Sequence, residues 1–365
     1  ILGQLTGKHS VLTEYYEQTG NAAVYSDIVP FGDWLVYYYN NTNLSGNPVN
    51  AEIISANSNG WLTDNNGANA PIAKVNSDNF SARYVTAKRI DAGDYILRLV
   101  RDDLIRVYLD GELVFDGWKT RASDDAAIKL SVKNKDNSNI HWIEIEYAEQ
   151  TGNSKVELSL EPYTIPSDKW VGEVYSNQNL QGMPYIIEAN SINYNWQNGS
   201  PIWGVPSDNF SVRFQRNINI TESGIYKLNI SADDGVRVYI DNQLYIDSWI
   251  QSAGYHPYQY VNLSKGVHSV KVEYYEATGL AKVQFSLEPI EFDYYEKTRD
   301  VFHNWGTNSP AQGIPADNFT ALFDQSGYYD GNEYFGVTYA DDGVRLLLNG
   351  ERKIDRWSAS AGQID

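Results

Sequence analysis

The sequence predicts an all-β protein built of tandem antiparallel β-sandwich modules. Three observations carry this: a text that recurs at intervals far longer than a solenoid repeat, alternation of apolar and polar residues within each recurrence, and a composition with Tyr 28, Trp 10 and Met 1 in 365 residues. Recurrence at that spacing makes each unit a self-contained domain rather than a stacked repeat. Alternation places one strand face in a core and the other in water. Aromatic and β-branched side chains suit such a pleated, half-buried surface.

The recurring text has three blocks. The first reads SDNFSARY at 77–84, SDNFSVRF at 207–214 and ADNFTALF at 316–323. The second occupies 92–118, 223–249 and 332–357; within it Tyr226, Leu228 and Ile230 alternate with Lys227 and Asn229, and Val236, Val238 and Ile240 with Arg237 and Tyr239. Asp110-Gly111, Asp241-Asn242 and Asn349-Gly350 are short turn signals between paired strands. The third block is EYYEQTG at 14–20, EYAEQTG at 146–152 and EYYEATG at 273–279. It predicts a strand over 269–275, a Thr-Gly turn and a further strand over 281–287. Many short antiparallel strands with polar turns read as a sandwich.

The order Asn-Phe-Ser, Gly-x-Tyr, Asp-Asp-Gly-Val-Arg-Val-Tyr-Ile-Asp, Trp and Glu-Tyr-Tyr-Glu resembles the PA-fourteen domain, the β-sandwich module named after anthrax protective antigen. The resemblance covers nearly the whole chain. It is fullest over 164–290, weaker in the first unit, where Leu104 stands in place of the glycine after the Asp pair, and partial in the third. Members occur in bacterial toxins, glycosidases, surface adhesins and yeast flocculins. The resemblance therefore implies an extracellular or cell-surface binding or structural module rather than one activity.

Two units read as complete, 31–163 and 164–290. Residues 291–365 read as the N-terminal part of a split module and residues 1–30 as its C-terminal part, because SAGQID followed by ILGQLTGKHSVLTEYYEQTG lines up with 252–279. Three explanations are open: one period of a longer repetitive polypeptide, completion of the tail by the head of a neighbouring copy, or closure within one chain. The first two give a head-to-tail, non-closing contact and hence a fibre. The third unit also lacks the opening found at 34–48 and 170–184. The Leu-Glu-Pro joints at 160–162 and 287–289 leave no flexible tether. Residues 1–10 lack a signal-peptide layout, so the chain reads as a mature protein or an excised piece.

A formal charge of −19 argues against nucleic acid, which needs clustered Lys and Arg. No run of about twenty apolar residues predicts membrane insertion. With Cys 0, disulfides and thiol chemistry are excluded. Asp102-Asp103, Asp233-Asp234 and Asp341-Asp342 are the candidate metal ligands, since adjacent carboxylates repel unless a hard cation such as Ca²⁺ lies between them. The resemblance implies more: in lectin-type relatives such a pair, joined by a cis peptide, holds Ca²⁺ that binds sugar hydroxyls, which carries over best to Asp233, Asp234, Asp341 and Asp342. The other reading of the pair is a turn device. Asp124-Asp125 is a second acidic pair, a further ligand loop or a solvated one.

Trp249, with Asp233 and Asp234, is a candidate carbohydrate contact; Trp118, Trp249 and Trp357 otherwise serve as core or sheet cover. Arg106, Arg237 and Arg345 fall on polar strand faces beside carboxylates. The five His show no metalloprotease spacing, and residues three apart on a strand, such as Glu273 and Glu276, point to opposite faces and cannot flank one bond. No enzymatic activity is expected. Sequons mark Asn40, Asn43, Asn198 and Asn219 as candidate glycosylation sites, while Asn79, Asn209 and Asn318 repeat inside a shared strand start. The leading expectation is a structural subunit or repeat period of an extracellular filament or surface layer built from head-to-tail modules, whose partners are copies of itself. The alternative is a Ca²⁺-dependent adhesin for cell-surface glycans.

Overall fold

The computed structural model describes residues 2, 4–20, 22–118, 124–134, 138–251, 258–296, 301–323, 329, 331–348, 351–358 and 362–364. These hold strands and no helix, so no helix long and apolar enough to cross a membrane is present among them. The chain divides into two compact units, residues 1–164 with 183–187, and 165–182 with 188–365.

The first module contains β1 (Trp34–Tyr39), β2 (Asn50–Ile54), β3 (Leu62–Gly67), β4 (Phe80–Arg89), β5 (Gly93–Arg101), β6 (Leu104–Leu109), β7 (Glu112–Asp116), β8 (Asp124–Val132), β9 (Ile140–Glu149) and β10 (Ser154–Pro162). One antiparallel sheet runs β2-β1-β4-β9-β6-β7, and β8-β5-β10-β3 form the other. The second module repeats the plan with β11 (Trp170–Tyr175), β12 (Tyr185–Ala189), β13 (Asn193–Gln197), β14 (Phe210–Ile220), β15 (Gly224–Asp233), β16 (Gly235–Ile240), β17 (Gln243–Ser248), β18 (Tyr258–Leu263), β19 (Gly266–Glu276) and β20 (Ala281–Pro289). Here β17-β16-β19-β14-β11 faces β13-β20-β15-β18. The central strand of the first sheet is β9 in one module and β19 in the other, each flanked by the Asn-Phe-Ser strand and the strand after the Asp pair.

Residue alternation becomes burial alternation. Val236, Val238 and Ile240 are buried on β16, whereas Arg237 and Tyr239 are half-buried on its other face. The two sheets meet through aromatic edges: Trp170 on β11 packs against Phe285 on β20 at 5.4 Å, and Trp196 on β13 against Phe210 on β14 at 5.6 Å. In the first module the Tyr84 hydroxyl on β4 donates to Asp64 on β3 at 2.8 Å. The turn signals take the conformation their residues favour, with positive φ at Asp110, Gly111, Asp241 and Asn242. Asn349-Gly350 lies outside the described residues. Residues 183–187 join the first unit because Tyr185 pairs with Ile128 on β8 and its ring meets Phe115 at 6.5 Å.

The third module is different. Among the described residues it holds β21 (Tyr339–Ala340), β22 (Val344–Leu348), β23 (Glu351–Arg356) and β24 (Gln363–Ile364), paired as β21-β24 and β22-β23. Phe302 and Phe335 are 90% and 91% exposed. Residues 4–20 are exposed throughout, and 14–20, expected to be a strand, belong to no sheet in the single chain. A lone strand gains no ladder to offset its ordering.

Candidate functional site

The Asp-pair loop links the two faces of each sandwich. β15 ends at Asp233 and β16 begins at Gly235, with a cis peptide between Asp233 and Asp234. Asp234 is buried, and its Oδ2 accepts from the Ala277 N–H at 2.8 Å, tying the loop to the end of β19. Asp103 does the same in the first module, accepting from Gln150 N–H at 2.6 Å and Thr151 N–H at 3.3 Å. In the third module Asp341 accepts from Gly362 N–H at 3.1 Å, and Asp342 is exposed with φ of 70°. The second aspartate of each complete module is thus a fold anchor. The first is half-buried, and burial together with the Asp234 charge raises the Asp233 carboxyl above its ordinary range. Among the described residues no three His, Asp or Glu side chains gather as a metal site would.

Beside each loop in the two complete modules lies the second glutamate of the Glu-Tyr-x-Glu block, set aside above as half of a catalytic pair. Glu149 and Glu276 are fully buried; each takes a hydrogen bond on Oε2, from Tyr147 at 2.7 Å and Tyr274 at 2.9 Å, while each Oε1 has no protein partner. Burial, with the neighbouring Asp pair behind it, pushes both carboxyls up to about 7. Tyr274 also donates to the Asp233 carbonyl. The signal was available: the second glutamate of Glu-Tyr-x-Glu recurs at every copy, at 17, 149 and 276.

A second feature explains the substitution at 104. A Cβ on Gly235 would come within 2.0 Å of the Tyr275 ring, so glycine is required where that ring lies across the backbone. In the first module Leu104 takes the glycine position and Ala148 the tyrosine position, and the two are again cross-strand partners. Large and small have changed places. In the third text the residues are Gly343 and Tyr16.

The remaining candidates fall on the surface. Trp118, Trp249 and Trp357 are not core; they lie over Arg106, Arg237 and Arg345 at 4.9, 4.5 and 4.5 Å. Those arginines also pair with Asp116, Asp247 and Asp355. Asp125 and Asp102 border one cavity of about 390 Å³ with Asn65, Asn153 and Lys155. Asn43, Asn198 and Asn219 are exposed, whereas the Asn40 amide accepts from Asn76 N–H at 2.9 Å and donates to the Lys74 carbonyl at 3.0 Å. Asn79, Asn209 and Asn318 adopt φ of 53°, 57° and 58°, a backbone that asparagine tolerates. Two histidines outside the expectations sit on the central strands: His141 against Asp110 at 2.7 Å and His268 against Asp241 at 2.6 Å.

The profile of the PA14 domain family matches residues 32–171, 169–300 and 293–365. A curated relative, the anti-sigma-I factor RsgI3 of Acetivibrio thermocellus, is 24% identical over 201 residues, 50% of this chain and 31% of the relative. The chain therefore spans about a third of that relative's length. Among solved structures, an anti-sigma factor domain-containing protein from Clostridium clariflavum is 23% identical, with 70% of this chain and 94% of that one covered and a TM-score of 0.31. The PA14 domain of the MpAFP antifreeze protein is 14% identical, with coverage of 37% and 88% and a TM-score of 0.32.

Proposed function

The chain belongs to the PA14 domain family, and from that premise we propose that it is a non-catalytic structural subunit or repeat period of an extracellular fibre or surface layer built from head-to-tail modules. The observation that carries this reading is tandem repetition of one plan: β9 and β19 are each the central strand of a like-ordered sheet, flanked by β4 and β6 in one module and by β14 and β16 in the other. The joints support it: β10 ends at Pro162 and β11 starts at Trp170 with no Gly/Ser tether between them. The curated relative is named as an anti-sigma-I factor, a name that carries no enzymatic activity.

Light scattering across a dilution series, with negative-stain electron microscopy, tests the reading. Concentration-dependent, open-ended particles are expected; a folded monomer at every concentration would remove it.

A second reading, a Ca²⁺-dependent glycan-binding adhesin, is favoured by the cavity at Asp102, where carboxylate, amide and ammonium groups surround one recess. Calcium enters that reading at the Asp-pair loops. A glycan array with and without calcium tests it, and sugar binding abolished by Asp102→Asn and Asp233→Asn would place this reading first.

A further inference from the structure

We propose that His268 is a pH-sensitive clasp of the second module, which holds the turn after β18 against the turn after β16 while its ring carries two protons and releases the turn after β18 when one is lost. The clasp goes beyond both functional readings and depends on neither. The ring stands near the start of β19, 8% exposed, just past the pair Val270 and Ile240 that ends the ladder between β19 and β16. Its Nδ1 lies 2.6 Å from the Asp241 carboxylate and its Nε2 2.8 Å from the Ser264 carbonyl oxygen. Each of these oxygens only accepts. A carbonyl has no proton to give, and Asp241 is ionised: burial raises it, but the bonds from His268 and from the Ser269 N–H at 2.9 Å bring it below the ordinary carboxylate range. Both ring nitrogens therefore donate, which only an imidazolium can do.

The same turn holds the partner for the other state. Ser264 Oγ lies 3.5 Å from Nε2, and a hydroxyl can donate where a carbonyl cannot. Once Nε2 is bare, its lone pair faces the carbonyl oxygen, so the carbonyl withdraws and the hydroxyl becomes the donor within reach. Nδ1–H stays with Asp241. One proton thus chooses between two arrangements of the backbone at Ser264. The charged group that faces the ring is Asp241. Ser223 on the turn after β14, Ile218 opposite the ring on β14 and Tyr245 on β17 are uncharged, burial keeping the Tyr245 hydroxyl protonated, and Glu222 and Lys265 on the flanking turns are exposed. Between the turns lies a recess of about 450 Å³, lined by the buried Ile240 and Leu263 and by Gln243, Tyr245 and Asn262, whose width follows the clasp.

The first module holds the same pair without the switch. His141 Nδ1 meets Asp110 Oδ2 at 2.7 Å, and Asp110 Oδ1 accepts from the Trp142 N–H at 2.9 Å, as Asp241 Oδ1 accepts from Ser269. The second nitrogen differs: His141 Nε2 faces the side-chain amide of Asn134 at 3.4 Å. A carboxamide presents an oxygen or, turned over, an N–H, so it serves either state of the ring. A fixed carbonyl in one module stands where a reversible amide stands in the other.

The test uses the full chain, its histidines labelled and followed by NMR from about pH 5 to 9, beside hydrogen exchange corrected for the intrinsic effect of pH. Across the His268 titration the amides of 264–268 are expected to exchange roughly fivefold faster, as the loss of one hydrogen bond implies, while those around His141 keep their protection. Unchanged protection at 264–268, or an equal rise in both modules, would overturn the proposal. Ser264→Ala separates a switch from a static contact. It keeps the carbonyl that binds the imidazolium and removes the donor that serves the neutral ring, so the His268 midpoint moves upward. A midpoint that stays or falls would sink the exchange of partners. His268→Gln is expected to abolish the pH response of the turn, and a response that survives it would assign the change to another group and refute the clasp.

Discussion

A carboxyl group stripped of water either finds partners for its charge or keeps its proton, and Glu149 and Glu276 hold theirs up to about 7. The sign follows from linkage. Below their ordinary value of 4.5 both folded and unfolded chains are protonated; as pH rises towards 7 the unfolded chain releases its protons first, so each glutamate subtracts from stability until the folded pKa is passed. His268 acts in the same direction. The Asp241 hydrogen bond, helped by the Ser264 carbonyl, raises it, so its contribution is full below the unfolded value of 6.5 and is lost as pH climbs through the folded one. Melting curves from about pH 5 to 8 are therefore expected to fall. Glu276→Gln should flatten that slope and raise the Tm at the alkaline end by a few degrees, about 2–4 °C per kcal/mol regained. An unchanged slope would mean that the carboxyl is already compensated.

At the scale of elements, strands answer to one another more than to their own residues. Gly235→Leu drives a side chain into the Tyr275 ring and is expected to cost about 1–3 kcal/mol. Adding Tyr275→Ala should cost less than the two changes summed, a favourable coupling that urea titration of single and double variants would read. Arg213, on β14, bonds the buried Glu173 of β11 at 3.2 Å and Glu273 of β19 at 3.1 Å, stitching three strands. Arg213→Ala removes that cation from the buried Glu173 and leaves Glu273 with Lys271 at 3.8 Å, at about 3 kcal/mol. Much of this level was legible in the sequence. Alternation at Tyr226, Leu228 and Ile230 located β15, and Asp241-Asn242 located the turn after β16. The recurrence of Glu149 and Glu276 was legible but their burial and the exchange of Leu104 with Ala148 were not, because a carboxylate reads alike inside and outside and a size match exists only once the register is known. The three tryptophans were legible as sheet cover but not as partners of arginine.

For the whole molecule, unequal completion of the modules predicts unequal protection. Amides of β4, β9, β14 and β19, central in their sheets, should exchange slowly, while those at 8–17 and in β22 exchange quickly at low concentration and slow on assembly. Hydrogen exchange followed by mass spectrometry at two concentrations would show the shift, and equal rates at both would count against any joining of copies through these segments. A tandem array of similar sandwiches also faces a hazard while its chain is being made, since a strand belonging to one domain can thread into its neighbour and trap the product. Leu104 opposite Ala148 bears on that hazard: a tyrosine-bearing segment that strayed into the first domain would meet a position already filled by leucine.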